Sequence, residues 1–246
     1  WGNLGVAYDN LKRPDDAIDA FRQALRINPE DADAWHGLGL AYGKLDRSDD
    51  AIDAYRQATR INPENAGAWV TLGVAYANLN RHDEASEAYR EALRITPEDA
   101  DAWYSLGVAY SNLTRYDAAS EAYREAIRIN PEYADAWNNL GDAYDNLKRS
   151  DVAIEAFREA IRINPEIAIA WNNLGDAYRK LTRYDVAIEA YLEALRINPE
   201  DADAWYNLGS AYVASGNRTD ALNAVRELRR LDPERAERLF KLIAPR

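Results

Sequence analysis

The residues best suited to chemistry lie in a phrase that occurs twice, Trp-Asn-Asn-Leu-Gly-Asp-Ala-Tyr, at positions 137–144 and 171–178. It sets Asn138, Asn139 and Asp142, then Asn172, Asn173 and Asp176, at a constant interval, and Tyr206, Asn207 and Ser210 continue the series. An asparagine amide donates and accepts at once, so a regular ladder of amides can hold an extended peptide backbone whatever its side chains are. Asp142, Asp145 and Asp176 would add attraction for Lys or Arg. Earlier in the chain the position of Asp142 is taken by Val6, Leu40, Val74 and Val108. Val74 and Val108 are therefore candidates for apolar contacts with the same kind of ligand.

Other chemistries are poorly provided for. Zero cysteines remove thiolate catalysis, disulfides, iron–sulfur clusters and Cys-ligated zinc together. His36 and His82 share no offset, and no loop has the alternating Asp/Asn spacing and closing Glu of a calcium loop. No nucleophile stands beside a base. No catalytic residue, cofactor or metal site is expected. Forty-two acidic residues against 30 basic ones give a net charge of −12, which opposes binding to nucleic acid or an anionic membrane and favours a cationic or neutral protein partner. No apolar run approaches the roughly 18 residues a bilayer demands, and a mean hydropathy of −0.57 with 47% hydrophobic residues suits a folded soluble protein, for which a cytoplasmic location is expected unless targeting residues lie upstream. There is no methionine, even at position 1, and no charged-then-apolar leader, so the chain reads as a fragment of a longer one.

The elements that position these residues follow from a strict repeat. Seven tryptophans, Trp1, Trp35, Trp69, Trp103, Trp137, Trp171 and Trp205, stand 34 residues apart with no insertion or deletion. Leu follows each Trp after three residues, Gly after four and Tyr after seven; Ala stands at sixteen, an aromatic at twenty in six repeats, and Pro closes every unit. The apolar offsets 0, 3, 7 and 16, 20, 23 each follow the 3.6-residue period, and a polar break separates them, so each unit is two helices. Gly and Ala at the contact allow close backbone approach, while Trp and Tyr fill the space beside them. Asp15, Asp49, Asp83, Asp117, Asp151, Asp185 and Thr219 are expected to cap the second helices, and the asparagine of each Asn-Pro-Glu (Asn28, Asn62, Asn130, Asn164, Asn198) to cap the first. Ala75, representing a series from Ala7 to Ala211, is expected to be buried without room beyond its methyl.

The pattern W-x-x-L-G-x-x-Y, then Ala, aromatic, Ala and Pro in 34 residues, resembles the tetratricopeptide repeat. The resemblance covers essentially the whole chain, with the first repeat incomplete and the seventh eroding at Val225 and Leu228. It implies an all-α fold: a right-handed α-solenoid of antiparallel helix pairs, with first helices lining a concave groove. Residues 1–233 form the seven-repeat array, and 234–246 a capping helix and tail that solvates its end, with Leu239, Phe240, Leu242 and Ile243 on its apolar face. One departure recurs. The family usually has Gly at the turn between helices, where this chain has Lys12, Asp46, Asn80, Thr114, Lys148, Thr182 and only then Gly216.

Packing uses Trp, Leu and Tyr, so the stripe at offsets 1, 5 and 8 should face the groove. Asn139, Asn173 and Asn207, with Asn3, are similar to the asparagine ladder in the repeats of O-linked N-acetylglucosamine transferase, although Gly37, Thr71 and Ser105 interrupt it. Family members that grip a chaperone's carboxy terminus resemble one another in a Lys one residue after Trp and an Asn five after; no repeat here has that pair, and acids in the groove would repel a carboxylate. On the second helices, paired arginines such as Arg22 and Arg26 interleave with Asp and Glu, which predicts a salt-bridged surface rather than a phosphate track. These readings describe a noncatalytic scaffold that binds a protein or peptide segment containing Lys or Arg and apolar residues. The alternative is an architectural protein that self-associates end to end into homo-oligomers.

Overall fold

A computed structural model describes residues 1–243. The first four repeats contribute α1 (Gly2–Asn10) with α2 (Pro14–Ile27), α3 (Ala32–Gly43) with α4 (Ser48–Ile61), α5 (Ala66–Asn78) with α6 (His82–Ile95), and α7 (Ala100–Asn112) with α8 (Tyr116–Ile129). The next three contribute α9 (Ala134–Asn146) with α10 (Ser150–Ile163), α11 (Ala168–Lys180) with α12 (Tyr184–Ile197), and α13 (Ala202–Ala214) with α14 (Arg218–Leu231); α15 (Pro233–Ile243) follows. No strand occurs among the described residues. The chain divides between the fourth and fifth repeats into two compact units, Trp1–Ile129 and a second that begins at Asn130. Within each unit, antiparallel helix pairs stack so that the second helix of one repeat packs on the first helix of the next.

The pairing depends on a missing atom. A Cβ added at Gly39, Gly73, Gly107, Gly141 or Gly175 would lie 2.5–2.6 Å from the ring of Tyr55, Tyr89, Tyr123, Phe157 or Tyr191 on the partner helix. Each ring occupies the space that the glycine leaves, so the two backbones meet closely without a void. Alanines two residues on complete the contact: Ala41, Ala109, Ala143, Ala177 and Ala211 are essentially inaccessible. Ala75 is only half-buried and Ala7 is exposed, so the expectation of uniform burial along this series fails in two repeats.

All seven turns adopt the geometry that the family's glycine would supply, with φ between 56° and 62° at the six non-glycine residues and 81° at Gly216. The amide of the following residue donates to the repeat's Tyr carbonyl, as in Arg13 to Tyr8 (3.0 Å) and Arg183 to Tyr178 (2.9 Å), and the left-handed residue donates three residues back. This is the Schellman arrangement, which satisfies carbonyls that the helix end would otherwise leave unpaired. In five repeats the arginine after the turn also stacks on that same tyrosine, its guanidinium 4.5–4.8 Å from the ring centre.

The capping residues differ from those expected. The second helices begin after Arg13, Arg47, Arg81, Arg149, Arg183 and Asn217. Asp15, Asp49, Asp83, Asp117, Asp151, Asp185 and Thr219 sit inside the first turn, where carboxylates meet the positive helix end without capping it. Arginine holds the cap position because that position also closes the preceding turn and stacks on Tyr. Asn28, Asn62, Asn164 and Asn198 end second helices instead of starting first ones. The true caps of the first helices come three residues later: Asp31, Asn65, Asp99 and Asp201 accept from the amides of Ala34, Ala68, Ala102 and Ala204 at 3.0–3.1 Å. Tyr133 and Ile167 occupy that place in the fifth and sixth repeats without a side-chain cap.

Polar contacts tie repeats together. From Trp35 onward each indole N–H donates to the carbonyl of the proline six residues earlier at 2.8–2.9 Å. In the second to sixth repeats an arginine near the end of the second helix reaches back 30 residues to a loop glutamate: Arg60 to Glu30, Arg94 to Glu64, Arg128 to Glu98, Arg162 to Glu132 and Arg196 to Glu166. One turn earlier on their helices, Arg22, Arg56 and Arg158 each donate to the tyrosine hydroxyl of the next repeat at 2.5–2.9 Å. At the other end of the chain, α15 packs on α13 and α14 through Ala236, Leu239 and Ile243. Phe240 and Leu242, expected on its apolar face, are exposed, and Ala244 of the tail lies outside the described residues.

Two stability measurements check this account. Ala109→Leu, which forces extra carbons into a filled contact, should lower stability by about 1–3 kcal/mol in denaturant titration; an unchanged midpoint would mean the contact has slack. Thr114→Gly and Thr182→Gly should each stabilise by roughly 0.5–1 kcal/mol, the left-handed strain of Thr outweighing the greater chain entropy of Gly. A loss of stability at both would show that the threonine side chains hold those turns.

Candidate functional site

The expected binding residues lie on the first helices: Asn138, Asn139, Asp142 and Asp145 on α9, Asn172, Asn173 and Asp176 on α11, Tyr206, Asn207 and Ser210 on α13, Val74 on α5 and Val108 on α7. Within the second unit they meet as a seam between repeats. Asn173 Nδ2 donates to Asn138 Oδ1 at 3.2 Å and to Asp142 Oδ1 at 3.0 Å. One repeat on, Asn207 Nδ2 donates to Asn172 Oδ1 at 3.2 Å and to Asp176 Oδ2 at 3.3 Å. The offset-two residue of each repeat thus sits between offsets one and five of the repeat before. Offset one is not a free stripe, since Asn138 is 5% exposed. The first unit repeats the contact with other residues: His36 Nε2 lies 3.1 Å from Thr71 Oγ1.

The carboxylates differ in what they already hold. Asp145 is engaged by the ammonium of Lys180 and by the Ser150 hydroxyl. Asp176 accepts from Arg179 at 2.8 Å and from the Tyr191 hydroxyl at 2.8 Å. Burial pushes the Tyr191 hydroxyl well up, and the Asp176 charge adds to it, so it remains a donor. Although burial works against it, the Arg179 guanidinium is held charged by its hydrogen bonds to Asp176 and Tyr191. Asp142 forms no ion pair among the described residues. Burial, and then repulsion from Asp145 and Asp176 only partly offset by Lys180, pushes its carboxyl up to about 7. Arg179 and Lys180 had no place in the sequence reading, and Tyr191 entered it only as one of the packing aromatics. Their signal was a departure from the repeat, Arg179 and Lys180 standing where the fifth repeat has Asp145 and Asn146.

The first unit offers a different face. Val6, Leu40 and Val74 recur at one offset on α1, α3 and α5 and are 52%, 38% and 43% exposed, while Val108 is partly buried. First helices of adjacent repeats approach one another directly, α1 with α3 here and α9 with α11 and α11 with α13 in the second unit, so the stripe is close-set. His36 lies on α3, its pKa lowered by burial, and His82 begins α6. Among the described residues no helix is long and apolar enough to cross a membrane.

A family model described as the cilia and flagella-associated protein 70 C-terminal domain matches residues 1–143, and tetratricopeptide-repeat models match residues 134–167, 175–216 and 202–235. A search of curated protein sequences gives no match. The crystal structure of MamA is similar at 30% identity and a TM-score of 0.65, over 67% of this chain and 96% of that one. The C-terminal part of a repeat-containing protein from Cytophaga hutchinsonii matches over the whole of both chains at 15% identity and a TM-score of 0.81. YrrB, described as having an unusual peptide-binding site, matches over 77% of this chain and 99% of that one at 24% identity and a TM-score of 0.65. At those two identities the likeness is one of fold.

Asp142 makes stability depend on pH. A carboxyl whose folded pKa is raised from 3.8 to about 7 contributes stability that is complete below the lower value and lost as pH rises through the upper one. Thermal melts should therefore show the wild type weakening between pH 5 and pH 8. Asp142→Asn keeps an acceptor for Asn173 and should flatten that fall, gaining about 1–3 kcal/mol at pH 8. A variant no more stable than wild type at pH 8 would mean that ionised Asp142 is well accommodated.

Proposed function

The chain belongs to the tetratricopeptide-repeat family, and from that premise we propose that it is a noncatalytic scaffold which binds a peptide segment with basic and apolar residues along its first helices. The observation that carries this reading is the row of Val6, Leu40 and Val74, exposed at one offset in successive repeats. Helix packing already uses Trp, Leu and Tyr, so these side chains remain in water with nothing in the unit to cover them. On the second unit the same offset supplies Asp142 and Asp176, beside the amides of Asn139, Asn173 and Asn207. Asp145 and Asp176 are neutralised from within, so preference for Lys or Arg rests chiefly on Asp142. The peptide-binding site described for YrrB is in keeping with this use of the fold.

Peptide arrays followed by titration test the proposal. Lys- or Arg-containing peptides should be preferred over acidic ones, and added salt should weaken their binding modestly, since Asp142 is only partly exposed and such charges are screened less than fully exposed ones. Affinity should rise with pH through about 7 as Asp142 ionises, and Asp142→Asn should remove that rise. Val74→Ser with Val108→Ser should weaken binding without altering its salt dependence. Selection of acidic peptides would sink the proposal; no peptide binding together with concentration-dependent oligomers in sedimentation would favour end-to-end assembly.

A further inference from the structure

In the third, fourth and sixth repeats a crevice is walled by two neighbouring second helices and floored by the Trp, Leu and Tyr of the first helix between them. In the third repeat it holds about 470 Å³ and is rimmed by Arg56, Glu84, Glu87, Arg90 and Glu91. In the sixth it holds about 560 Å³ over Trp171, Leu174 and Tyr178, between α10 and α12. Register by register, Thr59, Glu84 and Arg90 of the third repeat's crevice are replaced in the sixth by Ile161, Val186 and Leu192. Arginine stands at the position of Leu192 in every other repeat, at Arg22, Arg56, Arg90, Arg124, Arg158 and Arg226.

The exchange has two effects at one place. It turns a polar rim apolar, with Leu192 45% exposed. It also removes the cation that pairs three residues back in two other repeats, Arg56 with Asp53 and Arg158 with Glu155. Glu189, at that position in the sixth repeat, forms no ion pair among the described residues. The other charges on the rim are satisfied, Glu193 by Arg196 and Arg158 by Glu155 and the Tyr178 hydroxyl. An apolar hollow of this size with one unbalanced carboxylate at its edge suits a large apolar side chain whose neighbour is positive.

We propose that this outer crevice is a second binding site, separate from the first-helix face, for a protein segment presenting a bulky apolar side chain next to Lys or Arg. NMR titration of the whole chain with N-acetyl-Phe-Lys-amide and N-acetyl-Phe-Glu-amide tests it directly. The Lys peptide should shift the Trp171 indole N–H and the methyls of Val186 and Leu192, and should bind about fivefold more tightly than the Glu peptide, the worth of one exposed charge pair. L192R, which restores the arginine of the other repeats, should abolish the shifts, and V186E should weaken them. E189Q should retain binding and make the two peptides equivalent. Unchanged shifts in L192R, shifts confined to Asn138, Asp142 and Asn173, or no shift with either peptide would each overturn the proposal.

Discussion

The structure depends on the approach of one helix backbone to the aromatic ring of its partner. At Gly73, Gly107 or Gly175 the ring lies where a Cβ would be. Any other residue at these glycines must push the helices apart or turn the ring, and either movement passes to the next repeat through the shared core. Because the interlock is local, each repeat sets its own pair geometry. Placement of the first helices, and so of everything they display, follows from it.

The turns show how the chain compresses several tasks into few positions. One residue takes the left-handed conformation, and the next closes the turn, begins the second helix and stacks on the tyrosine that ends the first. A helix start alone would favour Asp, Ser or Asn. Arginine is selected because stacking on Tyr76 or Tyr178 and pairing with an acid three residues on, as Arg81 does with Glu84, need a long cationic side chain. Capping was misread from the sequence for this reason: propensity for one role was applied to residues that serve three.

Much of the fold was legible because it repeats. The interval of the tryptophans, the two helical periods and the small residues at the helix contact follow from side-chain size and spacing, and the helices fall where those patterns place them; which ring fills the space at each glycine came only from the structure. The site was legible only in part. Asn138, Asn173 and Asp142 could be placed on first helices, but no periodicity says that an amide will be spent on the neighbouring repeat before any ligand reaches it. Partners of that kind are set by the offset between adjacent repeats, a three-dimensional quantity. Arg179 and Lys180 had the same difficulty, since their importance lies in Asp176 and in an aspartate one repeat away. Leu192 could have been found from sequence, as the one break in a series of arginines.

The last helix bears on how such an array can grow or shrink. In the seventh repeat the aromatic is replaced by Val225, and the space against Gly209 is filled by Leu239 of α15, whose Cδ2 would lie 2.3 Å from an added Cβ. A residue from outside the repeat therefore completes the repeat's own interlock. The seventh unit is not an interchangeable module: copied into the middle of the array without α15 it would carry an unfilled hollow beside its glycine. Any of repeats two to six could be duplicated or excised as a 34-residue cassette, whereas Ala202 to Ile243 must be inherited as one piece.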